Sequence, residues 1–383
     1  MRFRDALARP GLGAIAEIKR RSPSAGDLRP DAEPARLAAQ FAEAGAAAIS
    51  VLVDERFGGS VDDLRAARAA TPTPLLAKGF FTEEAELLRM RDAGADAVLL
   101  LLRDLEPARA AELRRYAHEL GLDALVEAHD GAELTTALEI GAELVGINAR
   151  DLSTFAIDRR AQLELVARVP EDRVVIAESG VHSRAQGAAA ELAGADAILV
   201  GSALMRAADP AAKLAELLSR PLVKVCGLTR QEDVDEAVAA GADLTGFILA
   251  EESPRRAPGV LAVPDTVLSV AVHVGEIDGD GADLVQLYER ENGHRARNAG
   301  LYCEGKKVAE VLDLPWQGGD PRHWSAAAAH AGRVMLAGKL GPDNVAEAIA
   351  VVRPWAVDAS SRLESEPGVK DHSLVRAFVR AAR

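Results

Sequence analysis

One phrase recurs along the chain and limits what it can fold into. It reads AGAAAI at 44–49, AGADAV at 93–98, IGAELV at 140–145, AGADAI at 193–198, AGADLT at 240–245 and DGADLV at 280–285. Each copy is Gly-Ala, often an acid, then the start of an apolar run. Glycine reaches the left-handed conformation without a Cβ penalty, so a glycine after a helical pattern signals a helix C-terminus. Gly45, Gly94, Gly141, Gly194, Gly241 and Gly281 therefore predict helix-to-strand junctions. Four of the five gaps are close to 50 residues, about two βα units, and the last, from 241 to 281, is 40.

The intervals supply the strands. Eight candidates precede residue 202: 14–19, 47–53, 74–78, 96–102, 123–128, 143–148, 173–179 and 196–201. They are short and largely apolar, and helical patterns such as 82–93 and 106–120 separate them. Continuous apolar strands alternating with helices mean a parallel sheet covered on both faces. Eight such units in about 200 residues predict a (β/α)₈ TIM barrel. A doubly wound open sheet is the alternative, but no dinucleotide fingerprint follows the first strand, and the GLG at 11–13 precedes it.

Bulk properties narrow the function class. The chain has 383 residues, 49% of them hydrophobic, which is enough for two domains or one large one. Its net charge of −14 argues against nucleic-acid or anionic-membrane partners. An anionic substrate must then be held by local devices. Two cysteines cannot make a disulfide framework and suit a reducing compartment. There is no run of about 18 uncharged apolar residues, and the opening MRFRDALARPGLG lacks a secretory apolar stretch. The expectation from these properties is a cytoplasmic, soluble protein.

In a barrel of this kind chemistry sits at the C-terminal ends of the strands. Strand 1 ends with Glu17 and Lys19, two apart and so on one side, followed by Ser22. Strand 3 ends with Lys78, strand 5 with Glu127, strand 6 with Asn148, strand 7 with Glu178-Ser179-Gly180 and strand 8 with Gly201-Ser202. One charged strand end is usually a solvated edge. Cations and anions at six of eight ends point to acid–base catalysis, because such groups tune one another. The turns after strands 7 and 8 are the common phosphate site of these barrels. For Ser22 and Arg150 taken singly, a cap or surface role reads as well.

The segments AEIKRRSPSAG, LLAKGFF, LVEAHD, GINARDL, IAESGV and ILVGSALM, in that order across 14–205, resemble the motif series of indole-3-glycerol phosphate synthase. The resemblance implies ring closure of 1-(2-carboxyphenylamino)-1-deoxyribulose 5-phosphate with loss of CO₂ and water. It implies Lys78 as general acid, Glu127 as base, and Lys19 as a second acid on the substrate carboxylate, held by Glu17. Asn148 would bind a hydroxyl, and Ser22, Ser179, Gly180, Gly201 and Ser202 would surround the phosphate. Phe80, Arg150 and Glu178 join the binding set. Only 13 residues precede the first strand, where the family has about 40 more, so a reduced cover over the barrel mouth is expected.

A second βα series begins near Pro221, with Cys226 at the end of the strand LVKVC. A lone cysteine on an apolar strand is more often core than catalytic. Here KVCGLTR, GFILAEESPRR, LVQLY, VLDLPWQGG, VMLAGKLGPDNV, VDASSRLE and PGVKD, in order over 223–371, resemble phosphoribosylanthranilate isomerase. The resemblance implies an Amadori rearrangement with Cys226 as base, Asp313 as acid and Arg255 on the substrate carboxylate. A catalytic thiolate is expected to have a lowered pKa. Gly338, Lys339, Ser360 and Ser361 stand at the family's phosphate turns, with Lys339 and Arg362 replacing glycines. The family's Gln-Leu-His-Gly reads Gln286-Leu287-Tyr288-Glu289.

This half has only about 163 residues, so its barrel should be shortened and irregular. The segment 300–314 reads as strand–turn–strand, a hairpin in place of a helix, and the stretch after VAVHVG is too short for a helix. Cys303 reads as structural. The resemblances together imply two TIM barrels in tandem, 1–219 and 220–383, forming a bifunctional enzyme, a monomer or weak homo-oligomer that acts on small phosphorylated substrates without a metal or other cofactor. The alternatives are a single-activity synthase with an inactive second domain, or a non-enzymatic phosphosugar-binding scaffold.

Overall fold

The computed structural model describes residues 2–22, 26–151, 154–276, 281–292, 294–314 and 322–383. The chain divides into two compact units, Met1–His182 with Gly187–Leu218, and Ser183–Gln186 with Ser219–Arg383.

The first unit is a closed barrel of eight parallel strands: β1 (Gly13–Ile18), β2 (Ala48–Leu52), β3 (Leu75–Lys78), β4 (Ala97–Leu101), β5 (Asp123–Ala128), β6 (Leu144–Asn148), β7 (Val174–Glu178) and β8 (Ala197–Val200). Each pairs with its sequence neighbours, and β8 returns to β1 with Ala14 opposite Ile198. Runs such as AVLLL in β4 are buried throughout because one face meets the barrel interior and the other meets helices. Four of the repeat glycines end helices with left-handed φ, at 91° for Gly45, 97° for Gly94, 75° for Gly141 and 115° for Gly194.

The interior is packed by Ile15, Leu76, Leu99, Leu125, Leu144, Ile176 and Leu199, together with Phe3 and Leu7 from the helix Phe3–Leu7. That helix seals the end of the barrel away from the polar strand ends. Asp123, the first residue of β5, accepts from the Arg4 backbone N–H at 3.0 Å and from Arg2 at 2.6 Å. The described N-terminal residues therefore close the floor rather than cover the mouth.

The second unit also closes, through β9 (Leu222–Cys226), β10 (Leu244–Ile248), β11 (Leu268–Val274), β12 (Leu284–Glu291), β13 (His294–Cys303), β14 (Lys306–Asp313), β15 (Val334–Ala337) and β16 (Ala356–Ala359). β13 runs antiparallel to both β12 and β14, and the other neighbours are parallel. The expected hairpin is therefore present, and the second barrel is mixed and irregular. Its described helices are Gln231–Ala240, Arg322–Ala328, Val345–Val352 and His372–Ala381.

Composition explains the hairpin. Where no helix covers a strand, its outer face meets water and the sequence alternates. In β14, Ala309 and Val311 face the core while Lys307 and Glu310 pair outside at 2.6 Å. Gly241 ends a helix with φ 96°. Gly281 follows no described helix, and the residues before it, 277–280, lie outside the described set.

Candidate active sites

At the mouth of the first barrel one lysine meets three carboxylates. Lys78 Nζ lies 2.6 Å from Glu178 Oε2, 3.6 Å from Glu17 Oε1 and 3.7 Å from Glu127 Oε2. Lys19 Nζ pairs with Glu17 Oε2. Asn148 Nδ2 donates to Glu127 Oε1 at 2.8 Å. All three carboxylates are buried, and each is the last or last-but-one residue of a different strand, so barrel closure alone brings them together. The packing demands glycine beside them. A Cβ at Gly146 would overlap Glu178 Oε1, and one at Gly201 would overlap Glu17 Oε2.

The cluster sorts its own protons. Burial opposes the charge on Lys78, but Glu178, Glu127 and Glu17 hold its ammonium well above the usual lysine value. Burial pushes Glu17 up, yet Lys19 and Lys78 keep it below the usual carboxylate range. Burial also pushes Glu127 up, and Lys78, His129 and Asn148 override it, down to about 2. Glu178 goes the other way: burial, then the charge of Glu127, push it up to about 8 despite Lys78. The arrangement therefore presents a charged lysine as a proton donor and an ionised Glu127 as an acceptor, while Glu178 holds its proton.

The remaining sequence-predicted residues surround this centre. Lys19, Ser22, Phe80, Asn148, Arg150, Ser179, Gly180, Gly201 and Ser202 line one cavity with Lys78 and Glu127. Glu178 lies beneath that lining, fully buried. Ser179 and Gly180 are left-handed in succession, φ 68° and 74°, an unfavourable backbone for serine that turns the loop sharply after β7. The Arg150 N–H donates to Asn148 Oδ1 at 2.9 Å and its guanidinium to the Phe155 carbonyl at 3.1 Å. Phe80 is exposed at the rim, 6.4 Å from Phe57, with Arg56 4.4 Å from its centroid.

The reading of residues missed His129. Its Nε2 lies 3.2 Å from Glu127 Oε1 and its Nδ1 2.9 Å from Glu133 Oε2. Burial disfavours its charge, but the two carboxylates raise its pKa to about 10. The available signal was its position two residues beyond Glu127, in the same strand phase.

In the second barrel, Cys226 and Asp313 are the last residues of β9 and β14, on the C-terminal rim. Cys226 is buried, and burial raises its thiol pKa, with Lys224 opposing. The expected lowering is therefore not found in the free protein. Asp313 Oδ2 pairs with Arg295 at 3.3 Å, and Arg295 stacks over Tyr288 at 4.2 Å. Arg255 Nε contacts both oxygens of Glu364 at 2.9 Å, so its partner here is a protein carboxylate. Gly338 and Lys339 are left-handed in succession, φ 110° and 55°. Arg362 donates to the Lys339 carbonyl at 3.3 Å, which ties this turn to the Ser360-Ser361 turn, and pairs with Asp343 at 2.8 Å.

Comparison with known proteins decides the family. Residues 1–217 match the family model described as indole-3-glycerol phosphate synthase. The chain belongs to that family. Residues 320–381 match the model for N-(5'phosphoribosyl)anthranilate (PRA) isomerase.

Indole-3-glycerol phosphate synthase 2 of Streptomyces coelicolor is 49% identical over 209 residues, 54% of this chain and 81% of that protein. The multifunctional tryptophan biosynthesis protein of Schizosaccharomyces pombe is 30% identical across 100% of this chain, which spans 61% of that longer protein. Among solved structures, TrpF from Jonesia denitrificans shares 30% identity and a TM-score of 0.35, over 43% of this chain and 97% of that one. The chain thus carries both matches, synthase first and isomerase second, and is a bifunctional enzyme of tryptophan biosynthesis. No helix among the described residues is long and apolar enough to cross a membrane.

Proposed function

We propose that the two barrels catalyse consecutive steps. The second isomerises N-(5-phosphoribosyl)anthranilate to 1-(2-carboxyphenylamino)-1-deoxyribulose 5-phosphate. The first closes that product to indole-3-glycerol phosphate, releasing CO₂ and water. The observation that carries the reading is the Lys78 ammonium set among the buried carboxylates of Glu17, Glu127 and Glu178. Ring closure needs a proton delivered to the substrate carbonyl, and the later loss of water needs one removed and one supplied. Lys78 delivers the first. Glu127, the ionised carboxylate, removes the second. Lys19, held by Glu17, contacts the substrate carboxylate and supplies the proton for the leaving water. Asn148 orients Glu127 and takes a substrate hydroxyl. Arg150 fixes Asn148 through its backbone N–H.

Ser22, Ser179, Gly180, Gly201 and Ser202 hold the phosphate, and Phe80 packs on the aromatic ring. In the second barrel Cys226 removes the ribose C2 proton and Asp313 protonates the ring oxygen. Gly338, Lys339, Ser360 and Ser361 hold the phosphate, and Arg255 exchanges Glu364 for the substrate carboxylate. The protein works in the cytoplasm on these phosphorylated small molecules, as a monomer or weak homo-oligomer.

The test is indole-glycerol phosphate formation from the ketose substrate by the full chain. Lys78→Met and Glu127→Gln should each lower kcat by about 10²–10⁴, with KM little changed. Full turnover in either variant would refute the assignment.

A further inference from the structure

Cys226 can act as a base only as a thiolate, and burial disfavours that form. A buried cation lies next to it. Lys224 stands two residues earlier on β9, so both side chains project to one side of the strand. Lys224 is fully buried and Cys226 nearly so. They converge on one point of the neighbouring strand: a Cβ at Gly246 would lie 2.7 Å from Cys226 Sγ and 2.8 Å from Lys224 Cε. Only a residue without a side chain leaves room for both. Lys224 Nζ also contacts Asp358 Oδ2 at 3.0 Å and Gln286 Oε1 at 2.5 Å, and Gln286 Nε2 donates to Tyr288 Oη at 2.9 Å.

The charges facing Cys226 are Lys224 from its own strand, Asp358 from β16 and Lys370 beyond it. Lys370 is engaged by Glu364 at 2.8 Å, and Glu364 by Arg255. The charged or titratable groups facing Lys224 are Asp358, Cys226 and Tyr288. Asp358 Oδ1 is buried without a hydrogen-bond partner, so Asp358 is not saturated by the protein around it.

We propose that Lys224 is a positioning residue of the isomerase site, whose buried charge stabilises the Cys226 thiolate. In the proton-transfer step the C2–H bond of the ring-opened substrate breaks and an S–H bond forms. The electron pair moves into the C1–C2 bond and neutralises the C1 iminium. Lys224, balanced by the thiolate before the step, is left with Asp358 after it. The inference rests on Cys226 being the base.

The experiment uses the full chain with Cys303→Ser, so that Cys226 is the one cysteine left of two, labelled at Cys Cβ with ¹³C. The Cβ shift is titrated without substrate. Lys224→Met should raise the thiol pKa by about 1–3 units, the range for an opposite charge within roughly 4–6 Å. Asp358→Asn should lower it. Both variants break the same ion pair, so a purely structural role would move the thiol the same way in both. If Lys224→Met alone fails to fold, Lys224→Met with Asp358→Asn buries no unpaired charge and should titrate above Asp358→Asn.

An unchanged thiol in Lys224→Met, or shifts of the same sign, would overturn the proposal. The titration needs no turnover. A silent isomerase would therefore sink the functional reading without touching this result, and a shifted thiol in an inactive protein would separate the two.

Discussion

Glu178→Gln isolates the electrostatics of the synthase centre. Glu178 is a buried carboxyl whose pKa lies near 8 in the fold, against about 4.3 in an unfolded chain. A carboxyl raised on folding makes the folded state bind more protons than the unfolded one. Stability must then fall as pH rises from about 4 to 8, with the full penalty above 8. Glutamine mimics the neutral acid, so the variant should equal wild type near pH 4 and gain steadily above it. The gain is bounded at about 5 kcal/mol above pH 8, from about 1.36 kcal/mol for each pH unit between the two values. Coupling to Glu127 lowers that bound, and a gain of roughly 3 kcal/mol corresponds to about 10 °C in Tm for a barrel of this size.

The assay has a built-in reference. All three tryptophans, at 316, 324 and 355, lie in the second half. Tryptophan fluorescence therefore reports that half, while far-UV circular dichroism reports both. The prediction is a circular-dichroism transition that moves up in the variant at pH 8.5 and not at pH 4.5, with the fluorescence transition fixed. A gain independent of pH, or a loss at pH 8.5, would refute the reasoning.

Other predictions follow from single contacts. Gly201→Ala should abolish most synthase activity by displacing Glu17 and Lys19 while leaving isomerase turnover intact, as two separate assays would show. Ser179→Gly removes a left-handed serine and should stabilise the first unit by about 1 kcal/mol, read by urea unfolding. It should also raise KM for the phosphorylated substrate. Phe3→Ala should cost about 3–5 kcal/mol by leaving a cavity in the barrel floor, measured on the same transition. Arg362→Ala should raise KM of the isomerase several-fold with kcat preserved, because it unties the two phosphate turns.

The first barrel was legible because its two signals agree. Buried parallel strands write themselves as short apolar runs, and left-handed helix ends write themselves as glycine, so eight strands fell within one or two residues of their places. The polar strand ends then located the mouth. What stayed hidden is three-dimensional. Nothing in LVEAHD says that His129 pairs with Glu127 and with Glu133 at once, because that depends on the helix after β5. The protonation split between Glu127 and Glu178 depends on distances no spacing encodes.

In the second barrel the hairpin was readable from length and alternation. The raised thiol of Cys226 was not, since motif resemblance carries residue identity but not burial. The role of Lys224 is not legible either, because a lysine inside an apolar strand is an anomaly until Asp358 and Gln286 are placed around it.

Isomerase turnover of the full chain on N-(5-phosphoribosyl)anthranilate, followed by loss of substrate fluorescence, tests the central claim most directly. It should be run with Cys226→Ser and Asp313→Asn beside the wild type. Two working barrels predict turnover in wild type, none in either variant, and undiminished synthase activity in all three. A wild type that closes the indole ring but never consumes phosphoribosylanthranilate would contradict the account and leave the irregular barrel without its proposed chemistry.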